Sequence, residues 1–312
     1  MRNNQINRKI KESLILITGI TFLIVLGIAY TPLVLLFPAV YSIFALRNGI
    51  NLGITNLIIT GILTGIMVGV ELAVSLLIFV FPMTFVMTYL IKKRRKSIEV
   101  LGISTVTFFI LVILLVKLME IKGINFIAIL EESFSQAIMT QLELYQDMGL
   151  TSLELLERRD LLEGAYKQVL LIMPSIILIV SLVINYINYL LTTYVLDKMD
   201  IKLHKVPKFS RFKLPNNIIL GILAIFIGFY ASKYIGFQYY EETFINLNVL
   251  IGVAFFIQGL AVIQYTFNRR KINHLIRIIL YVIFLFIAPV ITIIGIIDTI
   301  FDIRKLRGSR SL

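Results

Sequence analysis

Apolar positions in this chain gather into long runs separated by short polar breaks. Nine runs stand out, at roughly 13–30, 33–46, 50–70, 72–91, 98–118, 169–196, 216–235, 244–267 and 275–297. A helix needs about 20 apolar residues to cross a hydrocarbon core about 30 Å thick, so each run predicts a candidate membrane-crossing helix. The second is short and bracketed by Pro32 and Pro38, which predicts a tilted or re-entrant piece. The first follows a basic N-terminus, as a secretory signal would. No small-residue cleavage site follows it, so it reads as a retained first span.

One stretch keeps a different rhythm. Within 118–167, Ile127, Leu130, Phe134, Ile138, Leu142 and Tyr145 recur at spacings of three and four, the signature of one apolar helical stripe. Thr151 followed by Glu154 has the spacing of a capping box. It opens a second helix, "SLELLERRDLLEGAYK", expected to run on into the sixth span. The expected fold is all-α: a polytopic transmembrane bundle of eight or nine spans with an extracytoplasmic amphipathic helical hairpin. Three regions follow: five spans over 1–118, the hairpin over 119–167, and three to four spans over 168–312. The hairpin lies on the outer membrane surface, caps the bundle, or forms a lid over a ligand site.

Charge supplies the orientation. Arg2, Arg8, Lys9 and Lys11 precede the first span, and Lys92, Lys93, Arg94, Arg95 and Lys96 follow the fourth. Lys198, Lys202, Lys205, Lys208, Arg211 and Lys213 follow the sixth, and Arg269, Arg270 and Lys271 follow the eighth. Alternating crossings put all four clusters on one side, which the positive-inside rule makes the cytoplasm. The stretch 118–167, with nine of the eighteen acidic residues, falls on the other. The expected location is a bacterial plasma membrane with a cytoplasmic N-terminus. A net charge of +12 then indicates anionic lipid headgroups as partners and not nucleic acid.

Composition narrows the chemistry. With 58% hydrophobic residues and a mean hydropathy of +0.92, lipid must solvate much of the surface. The absence of cysteine removes disulfides, thiolate nucleophiles and Cys-based metal sites. His204 and His274 both lie in basic loops, so no histidine metal centre is expected. No P-loop, dinucleotide fingerprint, GxSxG or HExxH occurs. The chain therefore reads as neither an enzyme nor a cofactor or metal protein.

Polar residues inside apolar runs are the candidate sites, because they are costly in lipid and mark function. Glu71 sits between the third and fourth runs, either at the outer interface or facing a pocket. Asn185 and Asn188, in "VINYINYLL", are either glue between helices or ligand contacts. Gln258 and Gln264 in the eighth run admit the same two readings, and Gly259 permits a close neighbour. Gly61, Gly65 and Gly69 form a small-residue packing face. Pro215 fits a first helical turn. At the end, Asp298, Asp302 and Lys305 are spaced as one helical stripe, with Arg304 pointing elsewhere and free to snorkel toward phosphates. That patch docks either the last helix or a partner, or handles protons. The apolar run continues from 275 to 303, about 43 Å if wholly helical, and Pro289 interrupts it. Nine full crossings would leave Arg304, Lys305, Arg307 and Arg310 outside, against the charge rule. So the last segment re-enters, the second does not cross, or the tail lies outside.

"FKLPNNIILG", "FFIQGLAVIQY" and "GIIDTIFDIRK", in that order, resemble the YybS-like family of uncharacterised bacterial membrane proteins. The resemblance gives weight to Pro215, Asn216, Gln258, Gly259, Asp298, Asp302 and Arg304. "LLFPAVYSIFALRNGINLGITNLIITGILTG" looks like the substrate-binding components of energy-coupling-factor transporters, with Pro38, Arg47, Gly49 and Gly53 at the matching positions. Those are six-helix proteins, and three further runs follow here. The resemblance implies a solute-binding or transport-associated subunit. Its pocket near the outer leaflet would be walled by spans four to six, with Glu71, Asn185, Asn188 and Gln258 as ligand contacts. Coupling and ATPase subunits would energise it. The rival expectation is a non-transporting scaffold for envelope or division machinery, docking partners through Asp298, Asp302, Arg304 and Lys305.

Overall fold

The computed structural model describes residues 2–28, 31–204, 206–215 and 217–306; Lys205, Asn216, Arg307 and Arg310 lie outside them. The described residues form helices and no strands. Twelve α-helices follow one another: α1 (Arg2–Val25), α2 (Phe37–Asn48), α3 (Ile50–Met67), α4 (Val70–Lys92), α5 (Ser97–Ile121), α6 (Phe126–Asp147), α7 (Ser152–Leu171), α8 (Met173–Lys198), α9 (Ile218–Tyr234), α10 (Tyr240–Arg269), α11 (His274–Phe286) and α12 (Ala288–Phe301).

Five of these are long and apolar enough to cross a membrane: α3, α4, α5, α8 and α10. A sixth is counted if α11 and α12, bent by 99° at their break, are taken together. The other three expected runs form shorter or interrupted apolar helices. The apolar part of α1 covers only 13–25 before the helix stops. The second run opens with a 3-10 turn, Pro32–Leu36, capped by the Thr31 hydroxyl, before α2 takes over. α9 has 17 residues. The Thr151–Glu154 capping box is present and starts α7, which stops at Ile172, one residue short of α8. α6 and α7 bury no residue; of the expected stripe, Leu130, Phe134, Ile138, Leu142 and Tyr145 are half-buried along α6, while Ile127 is exposed.

The chain divides into two compact units. The first, Met1–Gln141 with Ile177–Val206, contains α1 to α5, most of α6 and most of α8. Its base is pinned where Glu12 accepts from Arg8 (3.0 Å), Arg47 (2.9 Å) and Asn48 (3.0 Å). Burial opposes the charge on Glu12, but the Asn48 amide and the two arginines outweigh it and hold the carboxyl below its ordinary range. Gly49, at φ 116°, makes the turn from α2 to α3 that a side chain would resist. Gly61 and Gly65 face Leu77 and Ala73, so the small-residue face of α3 packs on α4.

The interior of this unit is layered. Met83, Phe108 and Ile184 form one apolar cluster, and Met87, Leu90, Ile91, Val100, Leu101 and Tyr189 form another. Along α4, α5 and α8, the buried residues between these clusters are polar: Thr84, Ser104, Thr105, Asn185 and Asn188.

The second unit, Leu142–Ile176 with Pro207–Leu312, is organised along α10. Four amide side chains at successive heights each hold another segment. Asn246 donates to Leu171 O (2.8 Å) and accepts from Ser175 N (3.0 Å). Gln258 holds the 209–214 loop and α12. Gln264 accepts from the Tyr281 hydroxyl (2.6 Å), and Asn268 accepts from Arg277 (2.8 Å). α12 crosses α10 where both backbones are bare. A Cβ on Gly259 would lie 2.0 Å from Ile291 O, and one on Gly295 would lie 1.9 Å from Phe255 O.

Candidate functional site

Two buried polar centres stand out, one in each unit. The first lies at the end of α12. Asp298 is fully buried, and Arg304 is nearly so. Gln258 Nε2 donates to Asp298 Oδ2 at 2.6 Å. Arg304 donates to the same oxygen from Nε (3.2 Å) and Nη2 (2.8 Å), and its backbone N–H donates to Oδ1 (3.3 Å). The remaining guanidinium donors reach Ser210 O (2.9 Å) and Phe212 O (2.8 Å). Gln258 Oε1 accepts from Leu214 N (3.0 Å). Lys213 pairs with Asp302 at 2.5 Å, and both are mostly buried.

This folding-back follows from Asp302. It ends α12 in the left-handed conformation (φ 49°, ψ 51°), so the chain reverses and brings Arg304 under the helix that carries Asp298. Two expectations are corrected. Arg304 does not reach outward to phosphates; its guanidinium is consumed inside the chain. Lys305 does not extend a helical stripe, because the helix stops at Phe301; it is exposed beyond the turn.

The second centre is the polar layer of the first unit. Asn188 is fully paired: Oδ1 accepts from Ala39 N (2.8 Å), and Nδ2 donates to Leu35 O (2.7 Å) and Ile184 O (2.9 Å). It fastens α8 to the start of α2, which is the glue reading. Thr88 donates to Ser42 (3.0 Å). Asn185 differs. Its amide nitrogen donates to Ser181 O (2.8 Å), but Oδ1 is buried without a partner. Thr84 Oγ1, Ser104 Oγ and Thr105 Oγ1 are buried and unpartnered as well.

The family model described as "Predicted membrane protein (DUF2232)" matches residues 14–299. The chain belongs to this family. No curated protein and no solved structure matches it.

The match of this DUF2232 chain runs through both centres and stops between Asp298 and Arg304. The structure brings Gln258, Asp298 and Arg304 into one network and sets Lys213 with Asp302 beside it. It brings Asn185 and Asn188 into one layer. Glu71 stands apart from them: it is exposed in the first turn of α4, thirteen residues and so about 20 Å from Thr84 along the helix. A cavity of about 20 Å³ in the same unit is apolar, lined by Ile20, Ile24, Tyr41 and Leu57 among others, and borders none of Glu71, Asn185 and Asn188.

Thr84, Ser104 and Thr105 were not singled out from the sequence. A hydroxyl in an apolar helix ordinarily bonds its own backbone one turn back and passes unnoticed, as Thr60 and Thr64 do here. The available signal was the recurrence of "MTFVMT" and "GISTVT" on two runs flanking one loop.

Proposed function

We propose that this chain is a solute-binding or transport-associated subunit of a bacterial plasma membrane, with a cytoplasmic N-terminus and no ATPase of its own. The observation that carries this is the polar layer between α4, α5 and α8, where four buried polar atoms have no partner in the chain. Leaving such a group unpaired costs about 1–3 kcal/mol, so a membrane protein retains several when something else pairs them. The helices around it, α4, α5 and α8, are the walls that the resemblance to energy-coupling-factor components implies. The layer differs in depth from the expected outer pocket. Thr84 lies nearer the end of α4 that leads into the basic cluster 92–96, and Ser104 lies near the start of α5 on the same side. Resemblance to the YybS-like family is compatible with this role and adds no activity to it. The alternative remains a non-transporting scaffold; of its docking residues, Asp298 and Arg304 are committed inside the chain and Lys305 is exposed.

The same proposal includes a topology for the tail. α9 and α10 run antiparallel, pairing Leu214 with Gln258, Phe226 with Phe244, and Phe229 with Tyr240. Asp298 and Arg304 sit at the height of Gln258, eighteen residues along α10 from Tyr240, or about 27 Å. α11 and α12 together thus return the tail to the side on which α9 starts. That satisfies the charge rule for Arg304 and Lys305.

Purification from native membranes in mild detergent, with mass spectrometry of what accompanies the chain, tests the role. Recovery of ATPase and membrane coupling subunits supports it. Envelope or division proteins without any ATPase would move the assignment to a scaffold.

A further inference from the structure

A groove of about 340 Å³ runs along the seam between α9 and α10, wholly within the second unit. We propose that it holds a membrane lipid of net negative charge, with one tail in the groove and the headgroup phosphate at Lys233. This inference is independent of the solute-binding reading.

Aromatic rings make the space. Phe229 stacks on Tyr240 (4.4 Å between ring centres) and on Phe244 (5.8 Å), and Phe226 meets Phe244 edge-on (5.9 Å). Rings set between two helices hold the backbones apart, and α9 buries none of its own residues. Leu223, Ile227 and Tyr230 form the open wall, and all three are exposed. A water-soluble molecule finds little to pair with on such a wall. A hydrocarbon tail gains close contact along it, which is what drives association inside a bilayer.

Tyrosines set the height. Tyr230, Tyr234, Tyr239 and Tyr240 gather around the turn between the two helices. Tyrosine is enriched where bilayer meets water, so the turn stands at headgroup level. From there the groove descends to Leu223, about 10 Å along α9 from Tyr230. It is polar at the mouth and apolar below, the profile of a lipid.

The mouth selects the charge. Lys233 is exposed, with its ammonium 5.8 Å from the centre of the Tyr240 ring, and it enters no ion pair among the described residues. Glu241 and Glu242 follow Tyr240 on α10, and the helical repeat turns them about 100° and 200° off its face. The Tyr234 and Tyr230 hydroxyls share one hydrogen bond (3.2 Å) and keep one proton to donate. A cation beside an O–H donor suits a phosphate. A zwitterionic headgroup would bring its own cation toward Lys233.

The test reconstitutes the full chain in phosphatidylcholine vesicles containing phosphatidylglycerol with a photoreactive diazirine on its acyl chain. Labelled residues are mapped by mass spectrometry. Ile225 is the internal reference: it is exposed, and it lies two residues from both Leu223 and Ile227, about 200° round the helix from each. Label should concentrate at Leu223, Ile227 and Phe244 relative to Ile225, and should fall when the diazirine is carried by phosphatidylcholine instead. Lys233→Gln should lower the groove label about fivefold, the worth of one cation beside anionic lipid. Ile227→Trp, which fills the groove without changing charge, should abolish it and spare Ile225. Equal label at Ile225 and in the groove, or label indifferent to both headgroup charge and Lys233, overturns the proposal and makes this ordinary surrounding lipid. A groove left unlabelled while Ile225 reacts also overturns it.

Discussion

Asn185 and Asn188 sit three residues apart on one helix, and both are fully buried, yet they should respond oppositely to the same substitution. Asn188→Leu strips the partner from Ala39 N and Leu35 O, each worth about 1–3 kcal/mol when left unpaired. Asn185→Leu removes an oxygen that has no partner, and should be neutral or stabilising in thermal unfolding. Equal destabilisation by both would return Asn185 to structural glue. The Asp298–Arg304 pair gives a second contrast. Asp298→Ala leaves a guanidinium buried without its counter-charge and should cost about 3–5 kcal/mol. Adding Arg304→Leu should recover part of that loss, because no unpaired charge then remains. Protein abundance and melting temperature in detergent read both effects. The identities of these residues were legible in the sequence, but their partners were not. Arg304 looked like a headgroup anchor because nothing in "DTIFDIRK" announces that Asp302 would take a left-handed conformation and turn the chain back.

At the scale of elements, the contact between α10 and α12 depends on backbones touching without side chains between them. Gly295→Ala would drive a methyl group into Phe255 O, and neither helix backbone can yield cheaply. A loss at or above the upper end of about 1–3 kcal/mol is expected, with release of the Gln258–Asp298 bond. Gly252→Ala, on the same α10 but with open space around it, is the control and should change little. Helices were the most readable level of this molecule, since a run of apolar residues and a capping box both depend on local chemistry. The Thr151 box opened α7 where expected, and Pro289 falls where the last run breaks. Lengths were less readable. The runs at 13–30 and 33–46 are apolar throughout, but Gly27 and the paired prolines end or tighten their helices before a full crossing accumulates.

At the scale of the whole chain, the absence of cysteine makes sidedness measurable without a background. Ile235→Cys places one thiol in the exposed turn between α9 and α10, and Lys305→Cys places one beyond α12. A membrane-impermeant maleimide applied to intact cells should label the first and spare the second. Permeabilisation should expose the second. Labelling of both from outside would make α11 and α12 a complete crossing and leave the basic tail on the wrong side of the charge rule. Span count was hard to read because a run of membrane-crossing length and composition can be bent, as α11 and α12 are by 99°. Its far end is tied by long-range contacts linking 298–304 to a loop some ninety residues earlier.

That tie also has a consequence in time. Gln258 and the carbonyls of Ser210 and Phe212 are synthesised well before Asp298 and Arg304. During that interval the amide on α10 and the loop it faces lack their final partners, and a buried polar group left unpaired is costly. Completion of the second unit therefore waits on the last residues of the described chain. A nascent protein that stalls or is clipped before Asp298 would leave these polar groups without their partners, the kind of feature by which quality control recognises an unfinished product.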